Sequence, residues 1–320
     1  MKVLVIGGSG FIGTHVVRQL VEAGHAVASF HRGQTPAGLP DTVPVIRGER
    51  HRLALFKSDF QSFAPQVVVD MIAYTAQDAR STVDTFRGLA QRCVVASSMD
   101  VYQAHGRFLR LESGPPHLQE LREDAPLRET RFPYRAMARS PEDLFYGYDK
   151  IPVEEIVLGE PRLPGTVLRL PGVFGPHDKQ HRLADYLNRM DAGEDILMDD
   201  PRARWRWTRD YVENVAAAIV LAVTQERAAG RIYNVGPRWA QSEEEWIRSI
   251  GQVVRWKGHL TILTPEQLPE DLVVPYDWQH SLAADTRRIH EELGYQRRVP
   301  LPIALERTIA WQRTQRVDSP

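Results

Sequence analysis

The sequence predicts an α/β fold: a doubly wound parallel sheet followed by a smaller, mostly helical C-terminal lobe. Three observations predict it. The apolar run Val3-Leu4-Val5-Ile6 leads straight into the glycine cluster Gly7-Gly8-Ser9-Gly10, and a helical pattern begins at once after it. Further apolar runs of strand length alternate with helical segments, which implies right-handed crossovers and parallel pairing. Past Pro176 the strands become short and helices dominate.

Residues 3–6 read as a fully buried strand. Ile12, Val16, Val17, Leu20 and Val21 then recur at helical spacing, and Gly24 stops that helix. Strands are expected at 26–30, 43–46 and 67–70, a helix around 77–89, and a fifth strand at 93–97. Residues 103–141 break the rhythm with Gly114-Pro115-Pro116, Pro126, Pro133 and Pro141, and read as a long surface loop or insertion. Helical and strand signals resume at 146–158 and 166–170. Helices near 182–190, 215–223 and 243–256 alternate with short strands at 232–235 and 260–263, and the last helix covers about 301–315. The expected division is a nucleotide-binding domain over 1–175, carrying the 103–141 insertion, and a substrate lobe over 176–320 with some segments returning to the main sheet.

The turn after the first strand carries the first chemical signal. Gly8, Gly10 and Gly13 satisfy G-x-G-x-x-G, and Gly7, Gly10 and Gly13 satisfy G-x-x-G-x-x-G. A strand-to-helix turn of this kind needs positive φ and close backbone approach, and the helix N-terminus offers free N–H groups to a pyrophosphate. In a doubly wound sheet ligands bind beyond the carboxyl ends of the strands, so the residues just after each strand are the ones to weigh.

Composition sets the outer bounds. The chain has 320 residues, 42% hydrophobic and 25% charged, enough for one large α/β domain or two smaller ones. A net charge of −1 supplies no basic field for nucleic acid or an acidic membrane. The single cysteine, Cys93, sits in an apolar run, which excludes an internal disulfide framework. No basic leader and no long apolar stretch is present, so a soluble cytoplasmic protein is expected.

Tyr146-Gly147-Tyr148-Asp149-Lys150 holds Tyr-x-x-x-Lys, and positions four apart share a helix face. A lysine ammonium beside a phenol favours the phenolate, so such a pair can move a proton on or off a substrate hydroxyl. Pro152 strains a helix that already includes Tyr148, and the helix kinks or begins late there. Ser98, after the fifth strand in Ala96-Ser97-Ser98-Met99-Asp100-Val101-Tyr102, can hydrogen-bond the same substrate oxygen as Tyr146.

These motifs, with Leu168-Arg169-Leu170-Pro171-Gly172-Val173-Phe174-Gly175-Pro176, occur in one order that resembles the extended short-chain dehydrogenase/reductases, the NAD(P)-dependent sugar-nucleotide epimerase/dehydratase group. Tyr211-Val212-Glu213-Asn214-Val215, Tyr233-Asn234-Val235-Gly236 and Glu292-Leu293-Gly294-Tyr295 extend the resemblance over nearly the whole chain. It implies a Rossmann-type sheet, a nicotinamide cofactor, a nucleotide-sugar-like substrate and a homodimer. It implies Ser98, Tyr146 and Lys150 as catalytic residues. Gly7, Gly10, Phe11, Ile12, Gly13, Ala73, Tyr146, Lys150, Pro171 and Val173 would hold the cofactor.

Departures from the group refine this. An acid that would hold the ribose 2′-hydroxyl of NAD is replaced by His31-Arg32, and Arg32 can bind a 2′-phosphate, so NADP is favoured with NAD as the alternative. Where the 4,6-dehydratases carry Asp-Glu stand Met99 and Asp100. Met99 donates no proton, whereas Asp100 either serves as a base or caps a turn. The 103–141 insertion lengthens the path from Ser98 to Tyr146 and is expected to act as a lid. Arg204 and Arg206, alternating on one strand face, are the candidates for a substrate diphosphate. His177 and His181 fit one helical face, but no further ligand accompanies them and no metal is expected.

Redox-neutral epimerisation through a transient ketone leads, with simple ketone or aldehyde reduction as the enzymatic alternative. Asp70-Met71-Ile72-Ala73-Tyr74 with His31-Arg32-Gly33 is also similar to a branch that includes chloroplast stem-loop RNA-binding proteins, which makes a non-catalytic RNA binder the alternative of another class.

Overall fold

Val3 to Ile6 are wholly buried, and their alternation explains the architecture. Val3 and Val5 join one apolar cluster with Val27, Val67, Val69 and Val94. Leu4 and Ile6 join another with Ala28, Phe30, Val68 and Val95. A strand apolar on both faces must be covered on both, the signature of a parallel sheet between helix layers. The computed structural model, which describes residues 1–34 and 38–317, has this arrangement.

The first half of the chain runs β1 (Lys2–Ile6), α1 (Phe11–Glu22), β2 (Ala26–His31), β3 (Val45–Arg47), α2 (Lys57–Phe63), β4 (Val67–Asp70), α3 (Ala76–Phe86), β5 (Arg92–Ser98), α4 (Gln103–Phe108), α5 (Leu144–Gly147), α6 (Lys150–Leu158) and β6 (Gly165–Leu170). The second half runs β7 (Gly172–Phe174), α7 (Ala184–Asp191), β8 (Ile196–Asp199), α8 (Asp200–Arg204), β9 (Arg209–Tyr211), α9 (Val212–Thr224), β10 (Ile232–Asn234), α10 (Glu243–Val254), β11 (Leu260–Leu263), α11 (Arg287–Leu293) and α12 (Leu301–Val317). The main sheet has seven strands in the order β10-β6-β5-β4-β1-β2-β3, all parallel. The chain beyond residue 175 therefore returns to the sheet through β10. Two parallel pairs, β7 with β9 and β8 with β11, lie outside it.

Helices α1 and α9 supply Val16, Val17, Leu20, Val215 and Ile219 to the first cluster. The opposite face takes Phe60 of α2, Ala79 and Phe86 of α3, and Val153 and Val157 of α6. Each valine, leucine, isoleucine or phenylalanine among them contributes about 1.5–3 kcal/mol when fully buried. A third cluster joins Tyr102, Phe108, Leu121, Trp205 and Leu282, so part of the 103–141 segment is core. Cys93 is free and buried, and burial pushes its thiol pKa up. Among the described residues no helix is long and apolar enough to cross a membrane.

Candidate active site

At the carboxyl end of β1 the chain turns into α1 through a glycine cradle. Gly7 has φ +83°, a conformation open chiefly to glycine. A Cβ on Gly13 would lie 2.2 Å from the Gly7 carbonyl oxygen, so the turn closes only without one. Gly10 caps α1 with no side-chain hydrogen bond, and no acid stands in the first turn. Its leading N–H groups are thus left for an anion. Phe11 and Ile12 are partly buried against the core behind the turn.

His31 ends β2, and its Nδ1 accepts the Gly33 N–H at 3.0 Å. Among the described residues its Nε2 is buried without a partner, and burial, with Arg47 nearby, lowers its pKa. Arg32 is exposed. Arg47 pairs with His31 in the β2–β3 register, and a Cβ on Gly33 would lie 3.5 Å from the Arg47 side chain. Arg47 is thus a second cation beside His31, and sequence reasoning missed it because its place depends on strand register.

Lys150 is 3% exposed and donates to the Ala73 and Ala96 carbonyls, each at 2.7 Å. Burial lowers its pKa to about 8, against the opposing pull of Asp70, Asp100, Asp78 and Glu154. Two of its three protons are therefore committed to backbone beyond β4 and in β5. The helix bearing it is fixed from behind by a buried network. Arg169 of β6 pairs with Glu154 of α6 at 2.7 Å, and Ser97 Oγ donates to Glu154 at 2.5 Å.

The expectation that Tyr146 and Lys150 share one helix face is corrected. Asp149 caps α6 by accepting the Ile151 N–H at 3.2 Å, so that helix begins at Lys150. Pro152 falls in its first turn, where a missing N–H costs nothing. Tyr146 lies on the separate four-residue helix α5, and Tyr148 between the two is extended. Tyr146 is 40% exposed, with the Arg135 guanidinium 4.7 Å from its ring centre.

The phenol that reaches the interior is Tyr148. It donates to Asp100 Oδ2 at 2.8 Å. Burial, then Asp100 and Tyr134, raise its pKa well above the usual phenol value, while a hydrogen bond with Ser98 pulls the other way. Ser98 Oγ accepts the Asp100 N–H at 3.2 Å, closing the turn after β5. Asp100 is 6% exposed. Its Oδ2 also accepts from Tyr134 at 3.1 Å, and its Oδ1 is buried without a partner. The Lys150 ammonium lies 4.7 Å from the Tyr74 ring centre and 6.0 Å from that of Tyr148. Ser98, Asp100, Tyr148 and Lys150 thus form one group.

Pro171 and Val173, after β6 and in β7, are buried. The alternating strand expected around Arg204 and Arg206 is also corrected. Asp199 caps α8 by accepting the Arg202 N–H, and Pro201 opens that helix, so Arg204 ends a helix. Arg204 is exposed and pairs with Asp200, while Arg206 donates to the Ala240 carbonyl at 2.6 Å and to Glu245 at 3.1 Å. Arg209, immediately before Asp210-Tyr211-Val212, does face a cavity. It pairs with Glu243, and its Nη1 is buried without a partner. The cavity, about 50 Å³, is lined by Trp207, Arg209, Trp239, Trp246 and Arg297 among others. Trp207 abuts Gly172, the residue after Pro171. His177 and His181 both pack on Trp311, and among the described residues no three potential ligands converge on a metal position.

Residues 3–236 match the NAD dependent epimerase/dehydratase family. The 2'-dehydrokanamycin reductase of Streptomyces kanamyceticus is 28% identical over 264 residues, 79% of this chain and 67% of that protein. The UDP-N-acetyl-alpha-D-glucosaminuronate decarboxylase of Bacillus cytotoxicus is 22% identical over 98% of each chain. Among solved structures, dTDP-glucose 4,6-dehydratase from Bacillus anthracis in complex with NAD superposes with a TM-score of 0.72, at 17% identity over 99% of this chain and 98% of that one, a likeness of fold.

Proposed function

This chain belongs to the NAD dependent epimerase/dehydratase family and is an enzyme of the extended short-chain dehydrogenase/reductase type, and from that premise we propose what it acts on and with which residues. It moves hydride between a nicotinamide dinucleotide, NADP in preference to NAD, and a hydroxyl-bearing carbon of a nucleotide sugar, through a transient ketone. A cytoplasmic homodimer completes the reading. The observation that carries it is the Ser98–Tyr148–Asp100 group beside Lys150, whose ammonium is held at the carboxyl ends of two central strands.

The cradle fits the cofactor. Gly7, Gly10, Phe11, Ile12 and Gly13 would hold the pyrophosphate at the N-terminus of α1, where the turn admits no Cβ and N–H groups are free. Arg32 and Arg47, flanking His31, would take the 2′-phosphate, and the absence of an acid there removes a repulsion. Ala73, Pro171 and Val173 would line the nicotinamide end, and the third Lys150 proton would reach a ribose hydroxyl. When bound, the nicotinamide supplies a reversible acceptor for hydride.

The chain's own residues handle the proton. Ser98 orients the substrate oxygen. Tyr148 takes the hydroxyl proton as it passes its own to Asp100, and the reverse step runs the same exchange backwards. Asp100 receives hydrogen bonds from that phenol and holds it in place. In this assignment Tyr148 takes the part that the Tyr-x-x-x-Lys spacing gives to Tyr146. Arg209 pairs with Glu243 but keeps its Nη1 unpartnered in the tryptophan-lined cavity, so it suits an anionic substrate group better than Arg204, exposed and engaged on Asp200, or Arg206, engaged on Ala240 and Glu245.

Net ketone reduction is the second reading. It is favoured by the 28% identity to a protein named as a reductase, and by Met99, buried where a dehydratase would need a proton donor.

One experiment tests the main reading. The purified chain is titrated with NADPH and NADH by fluorescence, then assayed with UDP-glucose, UDP-N-acetylglucosamine and UDP-glucuronic acid under each oxidised cofactor. Tighter binding of NADPH, weakened by R32D and by R47D, and turnover of one sugar are expected. Absence of nicotinamide binding, or binding of RNA in its place with a steep salt dependence, overturns the reading.

A further inference from the structure

Residues 103–141 enter the protein between Ser98 and Tyr146 and are not loose. The Gln103 N–H donates to the Pro126 carbonyl at 2.9 Å, and the Arg128 N–H to the Val101 carbonyl at 2.8 Å. The buried Arg128 guanidinium donates to the carbonyls of Asp100 and Thr130, each at 2.5 Å, and to Asp149 Oδ1 at 3.3 Å. Phe132 has φ +55°, costly for an aromatic residue, and its N–H is held by Asp149 Oδ2 at 3.2 Å. These contacts tie the segment to the turn after β5 and to the start of α6, and they aim Tyr134 inward.

Tyr134 reaches Asp100 Oδ2 at 3.1 Å, and His105 Nε2 lies 3.0 Å from the Tyr134 hydroxyl. With Tyr148 at 2.8 Å on the same carboxylate oxygen, four side chains form one continuous hydrogen-bonded line. Asp100 itself is an unusual carboxylate. The nearby Arg128 takes its backbone carbonyl and pairs with Asp149, leaving the Asp100 side chain two phenols and a vacant Oδ1. A carboxylate placed only for stability would be better served by the guanidinium.

We propose that this segment completes the catalytic centre, and that Asp100, Tyr134 and His105 form a proton relay leading from Tyr148 out of the site. The proposal rests on the role of Tyr148 given above. In the oxidative direction the C–H electron pair leaves as hydride to the nicotinamide. The hydroxyl proton passes to the Tyr148 oxygen as Tyr148 gives its own proton to Asp100. Asp100 then protonates the Tyr134 oxygen while the Tyr134 O–H turns to His105 Nε2. His105, only partly buried, releases a proton from Nδ1 to solvent, and every member returns to its starting charge. The sum is alcohol plus oxidised cofactor giving ketone, reduced cofactor and one proton; reduction runs the line backwards. Lys150, with two protons fixed on carbonyls, is the less open exit.

The charged and titratable neighbours are few. His105 faces Asp100 and Arg128 besides Tyr134. Tyr134 faces Asp100, Arg128 and Tyr276, and Tyr148 faces Asp100, Tyr134, Ser98 and the more distant Lys150. His105 is held neutral by burial, which suits a group that accepts a proton only in passing.

The test compares Tyr134→Phe, His105→Ala and His105→Gln with the wild type, using the three UDP-sugars named above, with NADPH binding followed in parallel. The relay predicts a fall in kcat of at least about tenfold in all three. It also predicts unchanged KM and NADPH affinity, a larger solvent deuterium isotope effect, and recovery of His105→Ala by added imidazole. Wild-type turnover retained by Tyr134→Phe, or losses that imidazole leaves untouched and that track thermal stability, overturns the relay alone. A wild type inactive on all three sugars, or a fully active Tyr148→Phe, overturns the underlying reading and the relay with it.

Discussion

Replacing Tyr148 by phenylalanine separates the two tyrosines that flank Gly147. In the structure the Tyr148 phenol donates to Asp100 at 2.8 Å beside Ser98. Removing it leaves Asp100 Oδ2 with Tyr134 alone, while Oδ1 already has no partner. Loss of one hydrogen bond to a charged group costs about 1.5–3 kcal/mol of stability. Loss of a positioned acid–base group costs about 10²–10⁴ in turnover. The companion change, Tyr146→Phe, removes a hydroxyl from a ring that is 40% exposed and lies against Arg135, so stability should stay within about 0.5 kcal/mol. Turnover should stay within about twofold, since that hydroxyl stands apart from the Asp100 line. The assay is the rate of nicotinamide absorbance change in a single turnover, with NADPH affinity measured on the same samples. Tyr148→Phe should bind NADPH normally and turn over at about a thousandth of the wild-type rate. The reverse pattern, with Tyr146→Phe dead and Tyr148→Phe active, refutes the reasoning.

Two further outcomes follow from the geometry. Burial holds the His105 pKa at about 4 against an ordinary value of 6.5, so between those values the unfolded chain binds a proton that the folded chain does not. Stability is therefore lost as pH falls through this window, by about 3 kcal/mol. Urea unfolding of wild type and His105→Gln at neutral and acid pH checks this. The variant should lack that part of the slope, and identical slopes contradict it. Gly13→Ala would set a Cβ 2.2 Å from the Gly7 carbonyl oxygen, so the cradle must open and NADPH affinity should fall at least about tenfold. Unchanged affinity by fluorescence titration would place the cofactor elsewhere.

Much of the fold was legible because it follows from local rules. The all-apolar run at Val3 to Ile6 fixes a central strand buried on both faces. The glycines after it announce a turn whose geometry excludes Cβ atoms. The positions of Ser98 at the end of a strand and of Lys150 on a helix were also legible. The shared face expected of Tyr146 and Lys150 failed because spacing implies one only within a single helix. Asp149, a strong cap whose carboxylate is also held by Arg128 and Phe132, starts the helix afresh. Pro152 warned of that boundary without saying which tyrosine would then point inward. Tyr134 and His105 lay in a segment read as a surface loop or lid. Their part depends on contacts across about thirty residues of chain, which no periodicity encodes. The surroundings of Arg47 and Arg209 were hidden for a related reason: one is set by strand register, and the other by a cavity whose walls come from distant parts of the chain.

The most direct measurement is a crystal structure of the ternary complex with NADP⁺ and whichever UDP-sugar the enzyme turns over. The reacting hydroxyl oxygen should lie within about 3 Å of both Ser98 Oγ and Tyr148 Oη, with Asp100 behind the phenol. A substrate oxygen bonded to Tyr146 Oη, with Tyr148 turned away from the substrate, would contradict it.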